Sequence, residues 1–379
     1  MAKDLGLTMT GLGRRLATAG LALAGTLLLG ACGEPEPLRI GFLGGVSGRV
    51  ADLGIGGRNG AQMAVEAVNR AGGIDGRQVI MVVKDDAQDP EKAARGMREF
   101  GQTGIRLVIG PMTSAMAVAA LPVAAEFGIL LVSPTVTTDE LAGKEDNFVR
   151  VLSPASDYAG KSAEYQFKQN GLRRIVVIHD AANAAYVGSW LSAFRTRFTA
   201  LGGTLLAEVP FTSGQQLGLR ELVAKSVRGE ADGVLILANS VDAALIAQYA
   251  RSERPGFPIA MSEWPATERF IELAGAAAEG VTAAQFFDRN SKSPAYEAFR
   301  SDFRKRFGVE PGFAGVTGYD ATMLALRGLA KSVATPGPHV VGIERFDGLQ
   351  GPIKIDRFGD AKRKTFITRV EKGQFMVVE

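Results

Sequence analysis

Short apolar runs alternate with helix-period stripes along most of this chain. Leu38-Arg39-Ile40-Gly41-Phe42-Leu43 reads as a buried strand ending in glycines. Ala61, Ala64, Val65 and Val68 fall at i, i+3, i+4 and i+7, the stripe of an amphipathic helix, and Gly72-Gly73 stops it. The pattern then predicts a strand over 78–84 and a helix over 90–100 opened by Asp89 and Pro90. A strand over 106–109, a helix over 114–127 and a strand over 129–132 continue it.

A second series follows Phe148-Val149-Arg150-Val151. It predicts helices over 157–169, 186–200, 217–228 and 241–251, with strands over 174–178, 204–209, 233–237, 258–261 and 281–284. Helices over 294–307 and 319–329 come next. The tail changes character, with strands over 351–356 and 364–370 around the turn Asp356-Arg357-Phe358-Gly359-Asp360, a hairpin signal. Alternating strand and helix builds parallel sheets covered on both faces, and two such series predict two doubly wound α/β lobes. Sheets of this kind bind ligands beyond the carboxyl ends of their strands, so the site belongs between the lobes.

The first residues read as an address. Lys3, Arg14 and Arg15 precede an uncharged run from Leu16 to Ala31, shorter than the ~20 residues a membrane span needs. Leu29-Gly30-Ala31-Cys32 resembles the bacterial lipobox, in which cleavage before the cysteine leaves its thiol joined to lipid. An ordinary secretory signal with an incidental cysteine is the plainer alternative. On the lipobox reading, 1–31 is signal peptide, 32–37 a Pro/acidic tether, and lipid on Cys32 the membrane anchor.

Composition narrows the function. Apart from Lys3, Asp4, Arg14 and Arg15, bases exceed acids by one, so no basic field remains to recruit nucleic acid. Two histidines (His179, His339) and one cysteine argue against structural zinc, iron–sulfur clusters and an internal disulfide. The glycine-rich stretches 44–48 and 54–57 complete no nucleotide motif and lack the P-loop lysine. No Gly-x-Ser-x-Gly elbow with a following acid and histidine is present, and His179 reads as a structural residue at a strand end. The expectation is a non-enzyme with no cofactor and no metal.

An ordered set of motifs resembles the periplasmic branched-chain amino acid binding proteins, solute receptors of ABC importers with the type I periplasmic-binding fold. It includes Ile40-Gly41 with Ser47-Gly48, Asn59-Gly60-Ala61, Asn69-Arg70-Ala71-Gly72-Gly73-Ile74, and Asp85-Asp86-Ala87-Gln88-Asp89-Pro90. Val108-Ile109-Gly110, Gly128-Ile129-Leu130 to Ser133-Pro134, Ala278-Glu279-Gly280 and the 351–360 turn region extend it to the end of the chain. The resemblance implies two lobes joined by three crossings, 38–156 plus 286–364 and 157–285 plus 365–379, which close on a small solute and present it to an ABC permease.

It also implies site residues. Ser114 stands where a helix begins, where free amides and the helix dipole suit an anion; it reads as an N-cap, and the family places an α-carboxylate contact there. A backbone group at Val136 and the hydroxyl and amide of Thr137 would complete that grip. Glu263, directly after a strand of the second lobe, would pair with an ammonium, and Trp264 beside it is either an apolar wall or core. Tyr186 resembles a cleft tyrosine with a spacing two residues longer, which leaves Asn183 as the alternative contact. Leu53 replaces an aromatic of the side-chain pocket, and Asn239-Ser240 replaces a tyrosine near the ammonium, so the implied ligand class is a small carboxylate with or without an amino group. An envelope interaction or sensor lipoprotein using the same fold is the competing class.

Overall fold

Leu38–Gly44 (β1) pairs in parallel with Val79–Asp85 (β2) and with Leu107–Ile109 (β3), and Leu130–Ser133 (β4) and Phe148–Arg150 (β5) extend the sheet in the order β2-β1-β3-β4-β5. These are the coordinates of a computed structural model, which describes residues 35–215 and 218–379. The expected signal peptide and Cys32 lie outside the described residues. Between the strands run α1 (Ala51–Arg70), α2 (Pro90–Gln102) and α3 (Ser114–Glu126). Asp89 caps α2 as its sequence predicts, its carboxylate accepting from the amides of Glu91 and Lys92 at 2.9 and 3.2 Å.

Alternate side chains leave the strands on opposite faces. Leu43, Val108 and Leu131 pack with Met97, Phe100 and Met116 of α2 and α3. Phe42, Ile109 and Val132 pack on the other face with Leu53 and Ala61 of α1. Each such fully buried side chain contributes roughly 1.5–3 kcal/mol relative to exposure.

The chain then crosses to a second lobe. α4 (Ala155–Lys168), β6 (Arg174–Asp180), α5 (Ala184–Ala200), β7 (Thr204–Phe211), α6 (Leu219–Arg228), β8 (Gly233–Leu237), α7 (Ser240–Glu253), β9 (Ile259–Met261), α8 (Glu268–Ala274) and β10 (Thr282–Gln285) follow in order. After β10 the chain returns to the first lobe as α9 (Pro294–Phe307), α10 (Phe313–Leu329), α11 (Pro336–Val341) and a small antiparallel sheet of β11 (Arg345–Gly348), β12 (Gly351–Ile355) and β13 (Ala361–Lys362). A third crossing leads to β14 (Phe366–Glu371) and β15 (Gln374–Val377), which complete a seven-stranded sheet in the order β15-β14-β10-β9-β8-β6-β7. The expected architecture of two α/β lobes and three crossings is the one found.

Arg363 ties the crossings together. Its amide donates to Ser153 Oγ at 2.9 Å in the first crossing, and its guanidinium lies 4.3 Å over the ring of Phe286 in the second. The same guanidinium pairs with Asp320 of α10 at 3.2 Å, both groups buried. Asp320 also accepts from the amide of Leu349, so both carboxylate oxygens are used.

Three expectations need correction. Strand 351–356 does not form a hairpin with 364–370: β12 pairs with the two-residue β13, while β14 joins β10 antiparallel in the other lobe. The Asp356 side chain, accepting from the amides of Phe358 and Asp360, makes the turn tight enough for that short return. α10 starts at Phe313 rather than 319, because its first two turns are buried against α1 and neither face is polar. Likewise α1 starts at Ala51 and runs through four glycines that mimic a loop in sequence.

At Gly60 the reason is contact: an added Cβ would sit 2.0 Å from the carbonyl oxygen of Gly315, where α1 and α10 approach backbone to backbone. In an exposed helix interior, Gly→Ala stabilises by up to ~1 kcal/mol. Here Gly60→Ala is expected to destabilise by about 1–3 kcal/mol through overpacking. Denaturant titration checks the sign, and a gain in stability would show that the two helices can separate without cost.

Candidate functional site

Four loops at carboxyl ends of parallel strands meet between the lobes. From the first lobe, the segment after β3 brings Met112, Thr113 and Ser114, and the segment after β4 brings Thr135, Val136 and Thr137. From the second, the turn after β6 brings Asn183 and Tyr186, and the segment after β9 brings Glu263 and Trp264. Leu53 of α1, Leu152 of the first crossing and Phe313 of α10 close the apolar side. The room left is small, about 20 Å³ for the centres of water molecules, enough for about one ordered water. A larger hollow of about 540 Å³ lies on the outer face of α9 among Glu297, Arg300 and Arg304, but it is an open charged surface with both arginines facing Glu310.

Glu263 is the charged side chain among the residues lining the interlobe cavity. It is buried, and its two oxygens are held from different lobes. Oε2 accepts from the indole Nε1 of Trp190 at 2.9 Å, and Oε1 accepts from the hydroxyl of Thr137 at 3.2 Å. The Tyr186 hydroxyl faces the same carboxylate without a hydrogen bond of normal geometry, and burial together with the Glu263 charge raises its pKa. Tyr186 packs edge-on against Trp264, ring centres 5.4 Å apart. Burial pushes Glu263 up to about 7, against the pull of the Trp190, Tyr186 and Thr137 donors.

The opposite wall offers donors. α3 begins at Ser114 after the extended Thr113, so its first amides point into the crevice with the positive end of the helix dipole. The Thr113 hydroxyl is buried with no partner among the described residues, and the amide of Ala115 donates to Asn183 Oδ1 of the other lobe at 3.0 Å. Further interlobe bonds flank the cavity. Asp52 accepts from the hydroxyls of Ser240 and Thr267 at 2.7 and 2.9 Å, Arg49 pairs with Asp242 at 2.6 Å, and Thr138 donates to the carbonyl of Ala185 at 2.9 Å.

Residues 37–374 match the family described as periplasmic binding protein. The chain belongs to the periplasmic binding proteins. "Leu/Ile/Val-binding protein homolog 3" of Brucella melitensis is 25% identical over 349 residues, 90% of this chain and 94% of that one. "Leu/Ile/Val-binding protein BraC3" of Rhizobium johnstonii is 32% identical over 180 residues, and that match spans about half of each protein, 47% of this chain and 48% of the relative. Among solved structures, the branched-chain amino acid transporter substrate binding protein LivJ of Streptococcus pneumoniae, in complex with isoleucine, superposes with a TM-score of 0.82 at 24% identity, covering 90% of this chain and 99% of that one. The type I fold is therefore shared along essentially the whole described chain, and a periplasmic binding protein works outside the cytoplasm.

Within this binding protein, the structure gathers Leu53, Ser114, Asn183, Tyr186, Glu263 and Trp264 around one cavity. Thr137 reaches it through Glu263. The amide of Val136 is turned to Ser133 Oγ at 3.1 Å. Asn239 is not brought to the cavity. It caps α7, Oδ1 accepting from the amides of Val241 and Asp242 while its NH2 donates to Asp242 and Ser213, so an asparagine placed just before a helix has every polar atom committed to the helix start. Sequence reasoning missed Trp190, Met112, Thr113, Leu152 and Phe313 as site residues. Trp190 lies one helical turn after Tyr186, a spacing that puts both on one face of α5 and could have flagged it. Phe313 and Leu152 carry no local signal, since chain crossings bring them in.

The buried acid makes stability depend on pH. Between pH 4.5 and about 7 the folded chain keeps a proton on Glu263 that the unfolded chain has released. Stability therefore falls as pH rises through that window, by ~3 kcal/mol in all. Glu263→Gln removes this dependence. The unfolding free energy of the wild type relative to Glu263→Gln is expected to drop by ~3 kcal/mol from pH 4 to pH 8. A pH-independent difference in denaturant titrations would mean that Glu263 ionises as freely in the fold as in water.

Proposed function

We propose that the protein is the solute receptor of an ABC importer, capturing a small amino acid between its lobes and delivering it to a permease. The observation that carries this reading is a buried carboxylate, Glu263, set in an interlobe cavity whose lining holds no lysine or arginine and whose opposite wall is a helix start with hydroxyls at Thr113 and Ser114. A zwitterion answers both walls: its ammonium offsets Glu263, and its carboxylate meets amides and hydroxyls. Leu53, Met112, Leu152 and Phe313 suit an aliphatic side chain, in keeping with relatives named for leucine, isoleucine and valine. The narrow cavity implies that a solute enters with the lobes apart, 38–156 plus 286–364 turning against 157–285 plus 365–379 about the three crossings.

Calorimetry with L-leucine and with its 2-hydroxy analogue tests this. Glu263→Gln is expected to weaken leucine about 10- to 1000-fold, the cost of cutting one partner from a buried charge pair, and to leave the hydroxy acid nearly unchanged. Equal losses would mean that Glu263 does not meet the ammonium. A protein whose melting temperature no small solute raises would instead fit an envelope interaction or sensor role.

The Leu29-Gly30-Ala31-Cys32 sequence supports lipid anchoring at the cell envelope. Cys32→Ser is expected to move the protein from the membrane to the soluble fraction and to abolish fatty-acid labelling. Retention in the membrane without label would rule out the lipid.

A further inference from the structure

We propose that Trp190 is a positioning residue that fixes the aim and the charge of Glu263, and through it the preference of the site for solutes bearing an ammonium. This rests on the amino-acid reading above. Trp190 is fully buried, and its indole N–H meets Glu263 Oε2 at 2.9 Å, yet it is not among the side chains lining the cavity. It acts through the acid, not on the solute.

Its ring cannot shift easily. Trp190 stacks on Phe194 (5.5 Å between centres, 18° between planes), and Phe194 stacks on Phe198 (5.2 Å, 21°), a ladder at successive turns of α5. An indole N–H donates and never accepts, so it favours an ionised oxygen opposite it. Trp190 and Glu263 belong to the same lobe, so this bond does not depend on lobe closure, whereas the Thr137 bond to Oε1 comes from the other lobe. A carboxylate has about four lone-pair positions. Trp190 ties one oxygen and Thr137 the other, while the Tyr186 hydroxyl and the backbone amide of Glu263 face the same carboxylate, so the Trp190 bond decides which edge of it turns to the cavity.

The ionisable groups around Glu263 do not replace Trp190. Tyr186 on α5 and Tyr158 on α4 are both kept protonated by burial and by the Glu263 charge, while Arg363 of the crossings acts on Tyr158. Thr137, Ser262 and Trp264 are uncharged. Against strong desolvation, the Trp190 bond is among the few contacts that pull the acid back toward its ionised form.

Trp190→Phe keeps the stacked ladder and removes the N–H. With L-leucine and its 2-hydroxy analogue as probes from pH 5.5 to 9, leucine affinity is expected to fall about tenfold near neutral pH. The pH at which leucine binding is half lost on acidification should rise by about one unit, with less than twofold change for the hydroxy acid. A partly unfolded sample would lower the number of sites but not the ratio of the two dissociation constants. Equal loss for both probes, or an unmoved pH profile, overturns the assignment. If Glu263→Gln separates the probes and Trp190→Phe does not, Trp190 alone loses its role. If Glu263→Gln fails to separate them, the amino-acid reading falls with it.

A second measurement leaves Trp190 in place. The chain has two tryptophans, so in a Trp264→Phe background the fluorescence of Trp190 is expected to follow the titration of Glu263, with a transition that Glu263→Gln abolishes. Identical curves with and without Glu263 would show that the indole does not sense the acid.

Discussion

One carboxylate shared between two lobes organises this molecule. Glu263 takes the Trp190 N–H from its own lobe and the Thr137 hydroxyl from the other, in an interior where an ionised acid without partners would cost several kcal/mol. Burial pushes the acid up to about 7, and the donors oppose that shift, the Trp190 bond from its own lobe and the Thr137 bond from across the cleft. Burial in the cleft therefore disfavours the anion, and the donors offset only part of that cost.

The scaffold around that bond ties the three crossings between the lobes to one another. Three crossings could flex independently, but Arg363 bonds to the first, stacks on the second and belongs to the third, and its buried pair with Asp320 roots it in α10. Removing either partner would leave an uncompensated charge inside the first lobe, a loss of about 3–5 kcal/mol. One residue thus links the three crossings, which on the proposed reading favours their bending together. In the interlobe bonds of Arg49 and Asp52 one partner is partly exposed, so they are cheaper to break than the fully buried pair at the pivot.

Much of this was legible in the sequence, because period-2 runs and period-3.6 stripes come from burial on a local scale. The strands around Ile40, Val108, Val177 and Leu235 and the α2 cap at Asp89 follow from that alone. The strand-end positions of Ser114 and Glu263 were legible because parallel sheets open their clefts there, whereas the positions of Asn183 and Tyr186 came from the resemblance. What failed depended on packing between distant segments. The need for glycine at Gly60 shows only once α10 lies against it, and the first turns of α10 lack a polar face because every side is covered. Asn239 was misplaced for a different reason: a position taken from a resemblance carries no information about its hydrogen bonds, whereas an asparagine immediately before a helix does.

The site also shows why a binding protein can close without stranding its own polar groups. Asn183 Oδ1 accepts the Ala115 N–H at the start of α3, and Thr137 serves Glu263, so the two lobes satisfy part of each other's wall directly. A solute must then offer more than these internal bonds supply. An anionic end competes with an amide oxygen for the helix amides, and wins by its charge. On the amino-acid reading, a cationic end is favoured by charge, since Glu263 is the acid of the cavity and the described lining residues include no lysine or arginine. A ligand shifts an equilibrium only by its differential affinity for the two states. On the proposed amino-acid reading, selectivity resides in the lobe that carries Glu263 and Trp190, and the other lobe supplies the anion seat.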